Sequence, residues 1–252
     1  MTAARGWDAA TYDRVAEPQH RWALAVLERL PLAGDETVLD AGCGSGRVTA
    51  ELAERVPRGR VIAVDADAAM VEHAREALGD RVELFRCDLL DLNLDREVDA
   101  VFSNAVFHWI PDHDRLFERL YAALRPGGRL IAQYGGEGNV ARLHRIAREV
   151  GAREPFAAHL AGWAGPWNFT SAEAARGALD RAGFEGVEAW LEPWPVQPSE
   201  PRAFIRTVCL GPHLARLPEP LRKPYLDAVA DAIGDPLEID YVRLNVSATR
   251  GH

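Results

Sequence analysis

The chain has 252 residues, 48% of them hydrophobic and 27% charged, which is enough for one sizeable α/β domain with a well-buried core. A net charge of −9 argues against a general polynucleotide-binding surface, because binding to phosphates depends on clustered positive charge. No apolar run approaches the ~20 residues that span a bilayer, and the first residues lack the apolar segment of a signal peptide. We therefore expect a cytoplasmic protein with a small-molecule substrate and without nucleic-acid or membrane partners, either monomeric or dimeric.

Short apolar runs alternate with amphipathic helical patterns along the chain, as they do in parallel sheets with crossover helices. Strands are predicted at residues 37–41, 60–65, 81–86, 98–103, 128–134 and 187–193, and in the terminal stretch IDYVRLNVSATR. In the last strand, Val242, Leu244 and Val246 alternate with polar residues, which predicts one face wetter than the other. The pattern indicates a Rossmann-like α/β fold with a seven-stranded, mostly parallel sheet, helices on both faces and a small helical lid.

Helical patterns outside the alternating strands predict the remaining organisation. We interpret residues 1–252 as a single domain, with 1–30 as an N-terminal helical cap and with 139–169 and 194–236 as helical lid insertions. The first insertion ends in an aromatic stretch, GWAGPWNF, at Gly162–Phe169. These segments are expected to close the functional site from above.

A glycine-rich turn follows the first strand, in VLDAGCGSGRVTA. Its glycines are close to the dinucleotide fingerprint, GxGxxG, but the third glycine falls one position early. Asp40 stands at the end of the strand, before Gly42 and Gly44, where a carboxylate would repel a phosphate and attract a cation. The ligand of this turn is therefore expected to carry a positive charge.

Asp65 ends the second predicted strand, in VIAVDADAAM. In a parallel sheet this position lies beside the glycine turn, where a carboxylate can accept both hydroxyls of a ribose. A ribose joined to a cationic group points to S-adenosylmethionine. A lone glycine turn or a lone aspartate at a strand end is more often only turn chemistry, but the two on consecutive strand–helix units are more specific.

With these motifs the chain resembles the class I S-adenosylmethionine-dependent methyltransferases over nearly its whole length. VLDAGCGSG matches the family's first motif, VIAVDADAAM its acidic second-strand motif, and FRCDLLDL, at Phe85–Leu92, the segment that holds the adenine. The resemblance implies that Asp88 accepts from the adenine amino group between Cys87 and Leu89. The cofactor-binding residues expected in all are Asp40, Gly42, Gly44, Asp65, Ala66, Met70, Cys87, Asp88, Leu89, Asn104, Ala105 and Trp109.

The fourth strand ends in FSNAVFHWIPDHD, which should border the reacting methyl group, because ligands of such sheets bind outside the carboxyl ends of the strands. This segment, WDAATYD near the start and the terminal DYVRLNVSATR resemble the trans-aconitate methyltransferase subgroup, which methylates carboxylates of small acids. A carboxylate acceptor is ionised at neutral pH and needs no base. The residues expected to contact the substrate are Tyr12, Gln19, Trp22, His108, Trp163, Trp167 and Arg206.

His108 is the candidate catalytic residue if the acceptor must lose a proton, although a histidine that only fixes the loop fits the sequence equally well. The nearby residues Asp112, His113 and Asp114 are interpreted as the start of a helix rather than as metal ligands, and no metal site is expected.

Two alternative functions remain open at this stage. One is C- or O-methylation of a secondary metabolite such as an isoprenoid diphosphate, with His108 as the base and Arg202, Arg206 and Arg216 near the diphosphate. The other is a non-catalytic S-adenosylmethionine-binding module, because a fold does not fix a function.

Overall fold

The computed structural model describes residues 17–252, with side chains from His20 onward. Its centre is a seven-stranded sheet in the order β3-β2-β1-β4-β5-β7-β6. Strand β7 runs antiparallel to both of its neighbours, whereas β1 to β5 pair in parallel. The predicted fold class is confirmed. The strands are β1 (Thr37–Ala41), β2 (Arg60–Asp65), β3 (Glu83–Arg86), β4 (Val98–Asn104), β5 (Leu124–Gly135), β6 (Phe184–Pro193) and β7 (Val242–Arg250).

Helices precede the sheet, connect its strands and form the two long insertions after β5 and β6. Two of them begin at an aspartate cap, as their sequences favour: Asp67 accepts from the backbone N–H of Ala69 at 2.8 Å, and Asp112 from that of Arg115 at 3.0 Å. The helices are α1 (Glu17–Leu27), α2 (Arg47–Arg55), α3 (Ala68–Leu78), α4 (His113–Ala123), α5 (Ala141–Gly151), α6 (Ala157–Leu160), α7 (Ala172–Arg181), α8 (Pro201–Phe204), α9 (Gly211–Arg216) and α10 (Glu219–Ile233).

Alternate residues of the central strands point to opposite faces of the sheet, and both faces are buried. Leu39 and Ile62 pack with α4 and α7 on one face, whereas Val38 and Val61 pack with α1, α2 and α3 on the other. A strand buried on both faces reads as a continuous apolar run, which explains why the first strands could be predicted from sequence.

The insertions form a third apolar cluster of their own. Leu143 and Ile146 of α5 pack with Phe204 and with Tyr225 and Val229 of α10. Between α8 and α9 the chain makes a π-helical turn at Ile205–Cys209. Within residues 17–252, no helix combines the length and the apolar character needed to cross a bilayer.

Strand β5 begins at Leu124, four residues before the predicted start at residue 128, and it includes the turn-forming sequence RPGG at Arg125–Gly128. Val98 pairs with Leu124 and Ala100 with Arg129, so four residues of β5 are accommodated by a shift of register rather than by a break in the strand. The proline and glycines of RPGG are therefore part of the strand and do not end it.

The first two polar positions of β7 are buried, contrary to the sequence prediction, whereas Ser247 and Thr249 further along are half-buried, as the alternation predicts. Arg243 and Asn245 are 2% and 1% exposed. Strand β7 lies inside the sheet, between β5 and β6. Trp22 of α1 covers the side chain of Arg243, whose guanidinium carbon lies 5.0 Å from the Trp22 ring centroid.

Candidate active site

A cavity of about 1070 Å³ opens at the edge of the sheet where β1, β2, β3 and β4 end. Such a position is the general location of ligand sites in open α/β sheets. Every residue that the sequence predicted to contact the cofactor lines this cavity.

The first two glycines of the turn have different tasks. Gly42 has φ +91°, and a Cβ placed there would lie 2.3 Å from the side chain of Val106, so this glycine permits close packing of the turn on the loop after β4. Gly44, with φ +55°, has no atom within 4 Å of an added Cβ. Its backbone therefore borders open space in the cavity.

Asp40 is 2% exposed and accepts a hydrogen bond from Thr49 Oγ1 at 2.7 Å. Burial raises the pKa of its carboxyl group to about 7, and the nearby Asp65 carboxylate acts in the same direction, against the hydrogen bond from Thr49. A buried carboxylate with a raised pKa is stabilised in its ionised form by a cationic ligand.

Asp65, at the carboxyl end of β2, is fixed by the backbone around it. Its Oδ2 accepts from Gly44 N and its Oδ1 from Asp67 N, both at 2.9 Å. Burial raises the pKa of this carboxyl group as well. Each carboxylate oxygen can accept two hydrogen bonds, so both oxygens retain capacity for a ligand hydroxyl.

The loop after β3 forms the next wall of the cavity. Asp88 caps a short 3₁₀ turn by accepting from Leu90 N at 3.0 Å, and its side chain is exposed. Leu89 is buried and Cys87 half-buried, while Met70 approaches from α3. An apolar slot with a carboxylate at its rim suits the flat faces and the hydrogen-bonding edge of a purine.

The backbone is strained where β4 ends. Ala105 has φ +60°, a left-handed conformation that is unfavourable for a residue with a Cβ. Its N–H donates to Gln133 O at 2.7 Å, which ties the loop to β5. Such strain is often found at functional sites, and Asn104 and Ala105 line the cavity here.

Aromatic rings close the end of the cavity beyond β4. The ring centroid of His108 lies 4.9 Å from that of Trp109 and 5.8 Å from that of Phe169. The ring of His144, from α5, is tilted against that of Trp167 with 4.3 Å between centroids and stacks on that of Phe169 at 5.8 Å. Burial lowers the pKa of His144 to about 4, so this wall is uncharged at neutral pH.

Several residues predicted to contact the substrate lie elsewhere. Trp22 is 3% exposed and packs on Trp194 and Tyr241 beneath the cavity without lining it. Trp163 packs behind Trp167, with 6.2 Å between ring centroids. Tyr12 and the side chain of Gln19 lie outside the described residues.

Arg206, which the sequence predicts to contact the substrate, does not line the cavity. Arg206 is exposed, whereas its neighbour Ile205 and, further along the π-helical turn, Cys209 are buried. The apolar residues take the inward positions of this turn, so the arginine faces outward. His108 and Trp167 remain the predicted substrate residues that line the cavity.

Sequence reasoning missed several lining residues at the end of the cavity beyond β4. The most informative is Arg243, which is buried and lines the cavity at the start of β7. Its neighbour Tyr241, Asn139 before α5 and His144 line it too. The alternation of β7 assigned Arg243 to a solvent face, and no local signal corrects that, because the cover comes from α1.

Asp112 and His113, after β4, make local structural contacts. Asp112 caps α4, and His113 Nε2 lies 2.9 Å from Phe107 O. Across residues 17–252, no group of three or more histidine, cysteine, aspartate or glutamate side chains is arranged to hold a metal ion.

Comparisons with known proteins agree with this geometry. Residues 38–128 match the family described as Methyltransferase domain. The trans-aconitate 2-methyltransferase of Methylobacterium radiotolerans is 34% identical over 233 residues, which cover 90% of this chain and 88% of that relative. The enzyme of the same name from Azoarcus sp. (strain BH72) is 42% identical over 156 residues, and the match spans 60% of that relative's length.

Solved structures share the fold at low sequence identity. Phosphoethanolamine N-methyltransferase 2 of Haemonchus contortus has a TM-score of 0.66 at 19% identity, over 97% of this chain and 57% of that one. The YcgJ protein from Bacillus subtilis has a TM-score of 0.65 at 15% identity, over 92% of this chain and 99% of that one.

The sheet order, the glycine turn and the family match define the class of this protein, a class I S-adenosylmethionine-dependent methyltransferase. Within that class, the extent and identity of the match show that the chain belongs to the family of the trans-aconitate 2-methyltransferases.

Proposed function

We propose that this enzyme transfers the methyl group of S-adenosylmethionine to a carboxylate oxygen of a small acid. The division of charge in the cavity carries the proposal. Acidic side chains line the donor end, on β1, β2 and the loop after β3. The acceptor end is lined by uncharged rings and by the buried guanidinium of Arg243. A cationic donor matches the first end and an anionic acceptor matches the second.

The donor end fits S-adenosylmethionine in three respects. Asp40 offers a buried negative charge for a cation, Asp65 retains acceptor capacity for a ribose, and Gly44 leaves space for close approach. When bound, S-adenosylmethionine supplies an electrophilic methyl group on its sulfonium. Cys87 and Leu89 would flank the adenine, with Asp88 near its amino group, and Asn104 and Ala105 would border the methionine part.

A carboxylate acceptor asks little of the protein beyond position. The new C–O bond forms as the C–S bond breaks, the electron pair of that bond stays on sulfur, and no proton moves. The protein must therefore hold the acceptor in line and exclude water. The wall of His144, Trp167 and Phe169 suits the second task because these rings pack on one another.

The wall is supplied by segments outside the alternating sheet, which supports their role as a cover for the acceptor. His144, Trp167 and Phe169 belong to residues 139–169, and Val208 and Cys209 to residues 194–236. We infer that these insertions, together with the cap at 1–30, complete a single methyltransferase domain over residues 1–252.

The hydrogen bonding of His108 favours an acceptor that needs no base. His108 Nδ1 accepts from the backbone N–H of Gly135 at 3.2 Å, which leaves the ring proton on Nε2. A ring in that state has no free nitrogen lone pair with which to take a proton from a substrate. We infer that His108 joins the loop after β4 to the end of β5.

The alternative with an isoprenoid diphosphate receives less support. Arg202 pairs with Asp227 at 2.7 Å and with Asp231 at 2.6 Å, and Arg206 is exposed. Arg216 lies over the Trp163 ring at 5.0 Å. These arginines are absent from the described lining of the cavity.

The test measures release of S-adenosylhomocysteine with trans-aconitate and with its triamide, which keeps the carbon skeleton and removes the ionised oxygens. We expect release with the acid alone, and turnover by His108→Gln within about tenfold of the wild type, since general-base catalysis contributes about 100- to 10,000-fold. Release with the amide, or loss of turnover in His108→Gln with S-adenosylmethionine binding intact, would contradict the proposal. Tight binding of S-adenosylmethionine without turnover of any acceptor would favour the non-catalytic module.

A further inference from the structure

Arg243 is placed at the acceptor end by the direction of its strand. It is the second residue of β7 and pairs with Gly135, the last residue of β5, and with Glu192 on β6. Because β7 is antiparallel to β5, its beginning lies at the edge of the sheet where the parallel strands end. The guanidinium is therefore on the same edge as the loop after β4.

Charge within the cavity makes Arg243 distinctive. Among the lining residues that the structure describes, the other two arginines are Arg47, at the start of α2, and Arg86, at the end of β3, and both are exposed. Arg243 is 2% exposed. A guanidinium removed from water binds an anion far more strongly than one on the surface.

Neighbouring side chains restrict the orientation of Arg243. Its Nε donates to Gln133 Oε1 at 3.3 Å, and its guanidinium carbon lies 5.0 Å from the Trp22 ring centroid. Gln133 Nε2 in turn donates to Asn245 Oδ1 at 2.8 Å. Gln133 and Asn245 are themselves buried, so the planar guanidinium is held from one edge and one face.

The chain of polar contacts continues to the surface. Asn245 Oδ1 also accepts from Arg29 Nη1 at 2.6 Å, and Asn245 Nδ2 donates to Glu192 Oε2 at 3.2 Å. Arg29 and Glu192 are themselves 3.6 Å apart. The network spans β5, β7 and β6, and its buried end is Arg243, a lining residue of the cavity.

We propose that Arg243 binds a carboxylate of the acceptor other than the one that is methylated, and that Gln133 acts as its positioning residue. This inference rests on the proposed function. It assigns to Arg243 the task of holding an acceptor with several carboxylates by one of them while another receives the methyl group.

The chemistry of transfer favours binding at a non-reacting carboxylate. A guanidinium pairs with a carboxylate through two parallel N–H···O bonds, which neutralise both oxygens. The attacking oxygen must keep its lone pair and its negative charge, so a carboxylate held in that way is a weaker nucleophile. A second carboxylate can be held firmly without this cost, and its binding energy orients the first.

The test compares trans-aconitate, a tricarboxylate, with crotonate, an unsaturated monocarboxylate, in the wild type and Arg243→Gln. We expect Arg243→Gln to raise KM for trans-aconitate by about 10- to 100-fold, as loss of a charged hydrogen-bonded pair predicts. Its KM for crotonate should change by less than about threefold, because crotonate has no second carboxylate to lose. Arg145→Gln, which removes an exposed arginine paired with Glu149 on α5, is the matched control and should leave both values unchanged.

Binding of S-adenosylmethionine, measured by calorimetry, shows whether each variant is folded. Should Arg243→Gln fail to bind it, Arg243→Lys decides, since it keeps the charge and loses the planar fork; KM for trans-aconitate should rise at least about fivefold with kcat nearly unchanged. An equal rise for both acceptors, or no rise for either, would overturn the inference. A wild type that methylates no carboxylic acid would instead overturn the proposed function.

Discussion

Asp40 is a buried carboxyl group, so its negative charge is stable only beside a positively charged ligand. Its carboxyl group has a pKa of about 7, because burial outweighs the hydrogen bond from Thr49. A neighbouring sulfonium or ammonium stabilises the ionised form, so ligand binding and ionisation of Asp40 are linked. The raised pKa of Asp40 therefore predicts how binding of S-adenosylmethionine depends on pH.

Binding of S-adenosylmethionine should strengthen as the pH rises through about 7. The pKa of Asp40 is raised in the free enzyme, so the carboxyl group is protonated below that pH and must lose its proton when the cation binds. Linkage then gives up to about a tenfold loss of affinity for each pH unit below the pKa. Calorimetric titrations across this range measure the slope.

Asp40→Asn separates this effect from titration of the ligand's own amino group. The variant keeps the shape of the side chain and should bind more weakly, with a flatter dependence on pH. Asp180→Asn changes an exposed aspartate on α7 and should follow the wild type. If Asp40→Asn kept the wild-type slope, Asp40 would not be the group that responds to the cation.

Two helices of the insertions, α5 and α9, bring a pair of histidines together among apolar and aromatic side chains. His144 on α5 and His213 on α9 have ring centroids 6.2 Å apart, and His213 stacks on Tyr225 at 5.9 Å. Burial lowers the pKa of His144 to about 4 and that of His213 to about 3, and each histidine is held neutral in the folded state.

These histidines should make the fold sensitive to acid. Both pKa values are below the ordinary value of 6.5. Between pH 6.5 and the folded-state pKa of each histidine, the unfolded chain binds more protons than the folded protein, so the free energy of unfolding falls as the pH falls. His144 alone should lower the free energy of unfolding by about 3 kcal/mol between pH ~7 and ~4. Urea denaturation at those two pH values measures the loss.

His213→Gln should lose less stability on acidification than the wild type, because glutamine does not titrate. Acidic side chains contribute to the acid loss in both proteins, so the difference between them reports the histidine. His252→Gln, at the exposed last residue, provides the control and should behave as the wild type does. An identical acid loss in His213→Gln would mean that His213 is not held neutral by its surroundings.

At the scale of the whole molecule, the cavity lining at the ends of β1 and β2 could be predicted from the sequence, whereas the lining contributed by β7 could not. Asp40, Gly44 and Asp65 lie on consecutive strand–helix units, so local pattern and sheet direction are enough to bring them together. Arg243 is brought to the site by a strand that runs backwards and by cover from α1. Neither the direction of the strand nor the cover from α1 can be recognised in the local pattern of β7. Sequence reasoning therefore selected Arg206, which stands among apolar residues, as the arginine that contacts the substrate.

The charge of the site likewise emerges only from the whole molecule. The chain carries a net charge of −9, which would by itself disfavour an anionic substrate. The structure gathers acidic groups where β1 and β2 end and places a buried arginine in the cavity lining at the start of β7, so the local field differs from the average one.

The chemical identity of the methylated product tests the central claim most directly. S-adenosylmethionine with an isotopically labelled methyl group is incubated with the enzyme and trans-aconitate, and the labelled carbon is located by NMR. We predict a single labelled methyl ester on a carboxylate oxygen. A labelled methyl on carbon or on a non-carboxylate oxygen, or no transfer by an enzyme that binds the donor, would contradict the account.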